Sequence, residues 1–195
     1  MTQQYWTYVP KRFEKASFDT FHPKTKEQAR ARFLLKQQAN KNFTNNILIL
    51  GNCGTGKTHL GYAFLKECAK NKADETPYYF SKRCFFVSMK EIIDEMKQSF
   101  SASTLEKSLY QKAIEAPVLI LDEIGLQYGS FMERTELYRL FNERYNALKP
   151  TIGISNFNPQ QLKKILGQRI FERLFSHADV FYFQNESFRF SPHLC

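Results

Sequence analysis

The chain has 195 residues, 43% of them hydrophobic and 24% charged, and Lys and Arg outnumber Asp and Glu by 28 to 19 for a net charge of +9. That composition describes one globular domain with room for a three-layer core, and it excludes a disordered polyelectrolyte. No stretch approaches the roughly 18 apolar residues of a membrane-spanning helix, so no membrane partner is expected. The surplus of positive charge points to a polyanionic partner. Cys53, Cys68, Cys84 and Cys195 lack metal-like spacing and the start has no secretory character, which fits a reduced, cytoplasmic setting.

Residues 1–23 are expected to be irregular and 25–41 to form a basic helix, so that 1–45 reads as an amino-terminal segment leading into a core over 46–195. The core opens with a strand at 46–50 and a helix at 57–71 whose Leu60, Ala63, Phe64 and Cys68 share a face. One strand is predicted across 78–88, with helices at 89–99 and 104–115, then an apolar strand from Val118 to Leu121. A helix at 131–148, stopped by Pro150, precedes a strand at 151–155, one or two helices over 159–175 and a last strand at 180–183. Strands alternating with helices imply an α/β fold with a central parallel sheet between helical layers, in a single domain overall. Too few residues follow 183 for a substantial carboxy-terminal lid.

The chemistry is concentrated at two strand ends. The first strand runs straight into Gly51-Asn52-Cys53-Gly54-Thr55-Gly56-Lys57-Thr58, a glycine-rich loop opening a helix. Such a loop turns tightly enough to aim its backbone N–H groups at the phosphates of ATP, against the positive end of the helix dipole. Lys57 is placed to reach the β- and γ-phosphates, and the Thr58 hydroxyl to ligate Mg²⁺. The second end is Asp122-Glu123, two carboxylates closing a buried strand. Asp122 is expected to hold the Mg²⁺, and Glu123 to orient or deprotonate the water that attacks the γ-phosphate.

With both motifs in hand, the chain resembles the AAA+ ATPases, and more closely the DnaC/DnaI-type replicative helicase loaders and their IstB-type relatives. The resemblance is carried by Pro10-Lys11-Arg12-Phe13, by Gly54-Thr55-Gly56-Lys57-Thr58-His59-Leu60, and by Leu121-Asp122-Glu123-Ile124-Gly125-Leu126-Gln127. It continues through Ser155-Asn156, Leu166-Gly167-Gln168-Arg169-Ile170-Phe171-Glu172-Arg173-Leu174 and Ser187-Phe188-Arg189. It implies a slow ATPase in which Asn156 touches the γ-phosphate or lytic water, and in which Arg12, Phe13 and His59 join the nucleotide site. Arg173 is implied as an arginine finger given to a neighbouring subunit, with Arg169 one turn earlier on the same face, so the subunits should assemble head to tail. Single-stranded DNA is implied to run past Lys90, Lys97, Phe100, Ser130 and Phe131, a mixture of charge and aromatic faces suited to sequence-independent binding. The implied partner is a DnaB-type replicative helicase. An IstB-like transposition helper, or a nucleotide-gated adaptor with negligible turnover, is the alternative. Full-length loaders carry an amino-terminal extension that grips the helicase, and almost nothing here precedes Pro10.

Overall fold

The structure is a computed structural model and describes residues 5–69, 71–72, 78–81, 83–98, 108–126 and 131–188. In chain order the elements are β1 (Tyr5–Tyr8), α1 (Lys26–Gln38), β2 (Ile47–Gly51), α2 (Lys57–Cys68), β3 (Asn71–Lys72), β4 (Tyr78–Ser81), β5 (Cys84–Ser88) and α3 (Met89–Gln98). They continue with α4 (Leu109–Glu115), β6 (Val118–Asp122), α5 (Phe131–Asn146), β7 (Thr151–Ser155), α6 (Pro159–Leu166), α7 (Gln168–Phe175) and β8 (Asp179–Phe183).

The apolar runs of β2, β5, β6 and β7 are buried along almost their whole length, as strands covered on both faces must be. With β8 they form a five-stranded parallel sheet in the order β5-β6-β7-β2-β8. Alternation along each strand divides the core. Ile47 and Ile49 pack with Ala31, Leu35, Leu60 and Phe64 of α1 and α2. Leu48 and Leu50 pack with Ile92, Ala113, Leu140, Leu162 and Leu174 of α3 to α7. The parallel sheet between two helical layers is the expected architecture. Val9, Ala16, Phe18 and Phe21 of the amino-terminal segment belong to the first of these clusters.

Two expectations are corrected. Residues 5–8 are not irregular: β1 pairs antiparallel with β4, which also pairs with β3, to make a second, three-stranded sheet. The single strand predicted over 78–88 is two, β4 in the small sheet and β5 in the large one. The cause is a turn at Ser81, whose Oγ accepts from the backbone N–H groups of Arg83 and Cys84 at 3.1 and 3.0 Å. The Arg83 guanidinium donates to the Gln38 and Ala39 carbonyls at 3.0 and 2.5 Å, fixing that turn to the end of α1.

The strand order positions the site. Because β7 lies between β2 and β6, the carboxyl ends of these strands stand side by side. The residues that follow them are the glycine-rich loop, Asn156 and Glu123.

Candidate functional site

The loop between β2 and α2 wraps around its own lysine. Lys57 Nζ donates to the carbonyls of Gly51 and Asn52 at 2.8 and 2.6 Å, with Thr55 Oγ1 at 3.5 Å. Two glycines are required by space. Gly51 has φ +124°, and a Cβ there would lie 2.1 Å from the Phe183 carbonyl oxygen. Gly56 has φ +87°, and a Cβ would lie 2.6 Å from the Phe21 ring. A side chain at either would push a neighbour away from the loop that α2 begins.

Thr58 Oγ1 donates to Asp122 Oδ2 at 2.8 Å, so the hydroxyl at the start of α2 and the carboxylate at the end of β6 meet across the carboxyl end of β7. The Asp122 carboxyl is pushed up to about 6, chiefly because it is buried, against the opposing pull of the Thr58 and Glu123 hydrogen bonds. A buried carboxylate beside a hydroxyl is a hard-oxygen pair that suits Mg²⁺, which takes few protein ligands and completes its shell with phosphate and water. Asp122 Oδ1 also accepts from the Glu123 backbone N–H at 2.7 Å. Glu123 itself stands in the left-handed region at φ 59°, with its side chain exposed to the cavity. That backbone costs about 1–3 kcal/mol and persists only where the surroundings impose it. Here the turn is stitched to β7: Ile124 N–H donates to the Ile154 carbonyl at 2.9 Å, and Ser155 Oγ to the Ile124 carbonyl at 2.5 Å.

Asn156 follows directly and is exposed in the same cavity. It does not cap α6. That task falls to Asn158, whose side chain accepts from the Gln161 N–H in a reciprocal capping box, with Pro159 in the first turn. The cavity holds about 680 Å³, enough for a nucleoside triphosphate, and brings together Lys57, Thr58, Asp122, Glu123, Asn156, Arg12 and Phe13. Phe13 stacks on Tyr62 at 4.8 Å, and Tyr62 on Phe86 at 4.1 Å, so the ring is seated on an aromatic column. His59 also lines the cavity, but its Nε2 donates to the Ser17 carbonyl at 3.0 Å; burial is the main reason its ring is held below the usual histidine range.

Several neighbours of the loop are assigned no role in the site by the sequence. Phe21 packs over the loop, and Phe188, whose N–H donates to the Gly54 carbonyl at 2.9 Å, closes it from the carboxy-terminal side. Gln28 of α1 is fully buried. Its Oε1 accepts from Lys24 N–H at 2.6 Å, and its Nε2 donates to the Thr55 carbonyl at 3.1 Å and to Asn185 Oδ1 at 2.7 Å. One amide thereby ties α1, the glycine-rich loop and the carboxy-terminal segment together. Gln28→Leu keeps the volume and strands three polar partners. It should destabilise the protein by about 1–3 kcal/mol and weaken ATP binding several-fold. Thermal unfolding with and without ATP measures both effects, and an unchanged ATP affinity would remove Gln28 from the site.

The remaining sequence-predicted residues lie elsewhere. Lys90 pairs with Asp94 on its own helix. Lys97 pairs with Glu133 of α5 at 3.2 Å, which brings the end of α3 to the start of α5. Phe100 and Ser130 lie outside the described residues, and Phe131 opens α5. Arg169 is exposed on α7. Arg173 is held in its own subunit: Nε donates to Asn142 Oδ1 at 3.0 Å, Nη2 to Tyr138 OH at 3.0 Å and Nη1 to the Arg169 carbonyl at 2.9 Å, with the guanidinium 4.7 Å above the Tyr138 ring. Among the described residues no helix is long and apolar enough to cross a membrane.

A loop of this kind on the strand next to β7, with β6 one place further out, defines an α/β P-loop nucleotide-binding fold of the AAA+ class. Within it, the chain belongs to the family described as IstB-like ATP binding protein, whose model matches residues 9–194. It is similar to the replicative helicase loader DnaC of Escherichia coli (strain K12), at 26% identity over 165 residues covering 83% of this chain and 63% of that protein. It therefore spans somewhat under two thirds of the length of that relative. The chromosomal replication initiator protein DnaA of Pseudothermotoga lettingae is 32% identical over 120 residues, covering 62% of this chain and 26% of that protein. Among solved structures, the crystal structure of the DnaC helicase loader superposes with a TM-score of 0.73 at 25% identity, covering 89% of this chain and 99% of that one. AMPPCP-bound DnaA from Aquifex aeolicus shares the fold with a TM-score of 0.68 at 23% identity, over 86% of this chain and 50% of that one. The family resemblance in the motifs is thus borne out.

Proposed function

We propose that this chain is the ATPase of a DNA-replication factor that loads a DnaB-type replicative helicase onto single-stranded DNA. Lys57 and the N–H groups of Gly51–Thr58 bind the phosphates of ATP. Thr58 and Asp122 would hold Mg²⁺, which when bound offsets the negative charge of the phosphate oxygens. Glu123 orients the attacking water and takes its proton, and Asn156 aligns that water with the γ-phosphate. Arg12 and Phe13 border the far end of the nucleotide, with His59 keeping the amino-terminal segment against α2.

The observation that carries the reading is the separation of the two halves of the chemistry. Asn46 donates to the carbonyls of Arg173 and Leu174 at 3.1 and 2.9 Å and stands at the start of β2, whose other end becomes the glycine-rich loop. Five strand residues put those ends roughly 17 Å apart. That separation supports the reading in which Arg173 and Arg169 serve the ATP of another copy and the subunits associate head to tail. The helicase as partner rests on the similarity to DnaC. Single-stranded DNA is assigned to α3, which carries Lys90 and Lys97, and to the start of α5 at Phe131, with Phe100 and Ser130 outside the described residues.

The test is co-purification. With ATP and Mg²⁺ the chain should retain a DnaB-type helicase on immobilised single-stranded DNA, and Lys57→Ala should not. DNA binding alone should need ATP and weaken steeply with salt, about 0.7 in the logarithmic slope for each phosphate neutralised on a single strand. Association with a transposase on duplex DNA, and no retention of helicase, would instead favour the transposition-helper reading that the family's description also allows.

A further inference from the structure

Helix α1 turns Gln28, Ala31 and Leu35 into the core. On its opposite side Lys26, Arg30, Phe33, Lys36 and Gln37 are all exposed, and their three- and four-residue spacing makes them one stripe. Phe33 is 65% exposed. A single aromatic on a surface is ordinary, but this one stands between cations. Arg30 precedes it by three residues and Lys36 follows by three, about 9 Å apart along the helix axis. Of the carboxylates nearby, half-buried Glu27 reaches Arg30 at 3.4 Å, and exposed Asp19 is shared between Lys36 at 3.2 Å and Arg32 at 3.8 Å. Exposed ion pairs of this kind contribute little to stability, so a phosphate displaces them readily.

We propose that this stripe is a second contact surface for single-stranded nucleic acid, in which Phe33 stacks on a base and Arg30 and Lys36 hold the phosphates to either side of it. The inference rests on the reading of the chain as a single-strand-binding factor, and it uses residues outside α3 and α5. Charge complementarity selects the occupant. Among the described residues Arg30 pairs with Glu27, and Arg32 and Lys36 share Asp19, on a chain of net charge +9. A polynucleotide repeats both things the stripe offers to bind, an anion and a flat ring, whereas an acidic peptide regularly repeats only the first. The same helix reaches the nucleotide loop through Gln28, which bonds the Thr55 carbonyl, so the DNA-facing stripe and the ATP site are joined by one rigid element.

A labelled oligothymidine titrated with the full chain in ATP, followed by fluorescence anisotropy, tests this. Phe33→Ala should weaken binding roughly 5- to 150-fold, the loss of one base–aromatic stack, and Phe33→Trp should restore it. Arg30→Ala with Lys36→Ala should reduce the salt slope by about 1.4, two phosphates at 0.7 each. The melting temperature should not move, because the side chains are exposed. If the wild-type chain does not bind the oligonucleotide, both this inference and the single-strand reading fall. If it binds, and Lys90→Ala with Lys97→Ala weakens binding while Phe33→Ala does not, only the stripe is overturned. An unchanged DNA affinity with altered self-association of Phe33→Ala also overturns it, and would assign the stripe to a second copy.

Discussion

Glu123→Gln should bind ATP as well as the wild type and hydrolyse it about 10²–10⁴ times more slowly, the usual contribution of a positioned general base. The substitution is close to isosteric, and the features that locate the residue are backbone features it leaves alone. The Glu123 N–H still donates to Asp122 Oδ1, and the turn is still held by the Ile124–Ile154 and Ser155–Ile124 hydrogen bonds. What disappears is a carboxylate exposed in the cavity beside Asn156. Binding of a fluorescent ATP analogue and single-turnover phosphate release separate the two quantities. Equal hydrolysis rates would reduce Glu123 to a solvated acid at a strand end and remove the proposed base. Loss of binding and turnover together would mean that the left-handed turn had rearranged, and a melting curve would show that.

The parts of the site that could be read from the sequence are those where one short segment supplies both the scaffold and the chemistry. Strand, loop, Lys57 and Thr58 are contiguous, and so are the apolar run of β6 and Asp122. Local pattern was enough for both, and the parallel sheet followed from their alternation with helices. What escaped depends on long-range partners. Gln28 looks like any polar residue of a basic helix; only its approach to Thr55 and Asn185 makes it part of the loop. Arg144 looks like a surface cation near a helix end, yet it is buried and gives its guanidinium to the Thr151 hydroxyl and the carbonyls of Ala113, Ala116 and Pro150. The run 78–88 forms two strands, and an aromatic, β-rich sequence does not say which sheet it enters. Ser81 and Arg83 decide that through a turn with no periodic signature. Asn156 and Asn158 both precede α6 in the sequence, and the side-chain contacts alone distinguish the cap, Asn158, from the residue that enters the cavity.

Arg173→Ala should leave ATP binding intact and lower hydrolysis by about 10³–10⁵, the range lost with an arginine finger in phosphoryl transfer. Geometry sets a second role against this one. Arg173 is bound to Asn142, Tyr138 and the Arg169 carbonyl, which joins α7 to α5, so the variant should also lose stability. A merely structural arginine would lower melting temperature and activity together, in every mixture. A finger predicts more. Arg173→Ala keeps a complete nucleotide loop, and Lys57→Ala keeps an intact finger; in a head-to-tail assembly the first can bind ATP while the second supplies the cation. Neither variant alone should turn over, and their mixture should recover part of the wild-type rate, most near equal amounts. To act on a neighbour, the guanidinium must leave the Tyr138 face, and contact with anionic ATP supplies the competing attraction. Arg169→Ala is the control, since that side chain is exposed and its removal should not change the melting temperature. If it too abolishes turnover and is complemented by Lys57→Ala, the two arginines act as a pair on the neighbouring phosphates. If the Arg173→Ala mixture recovers nothing at any ratio, with single-stranded DNA present, Arg173 belongs to the α5–α7 packing and the trans assignment is withdrawn.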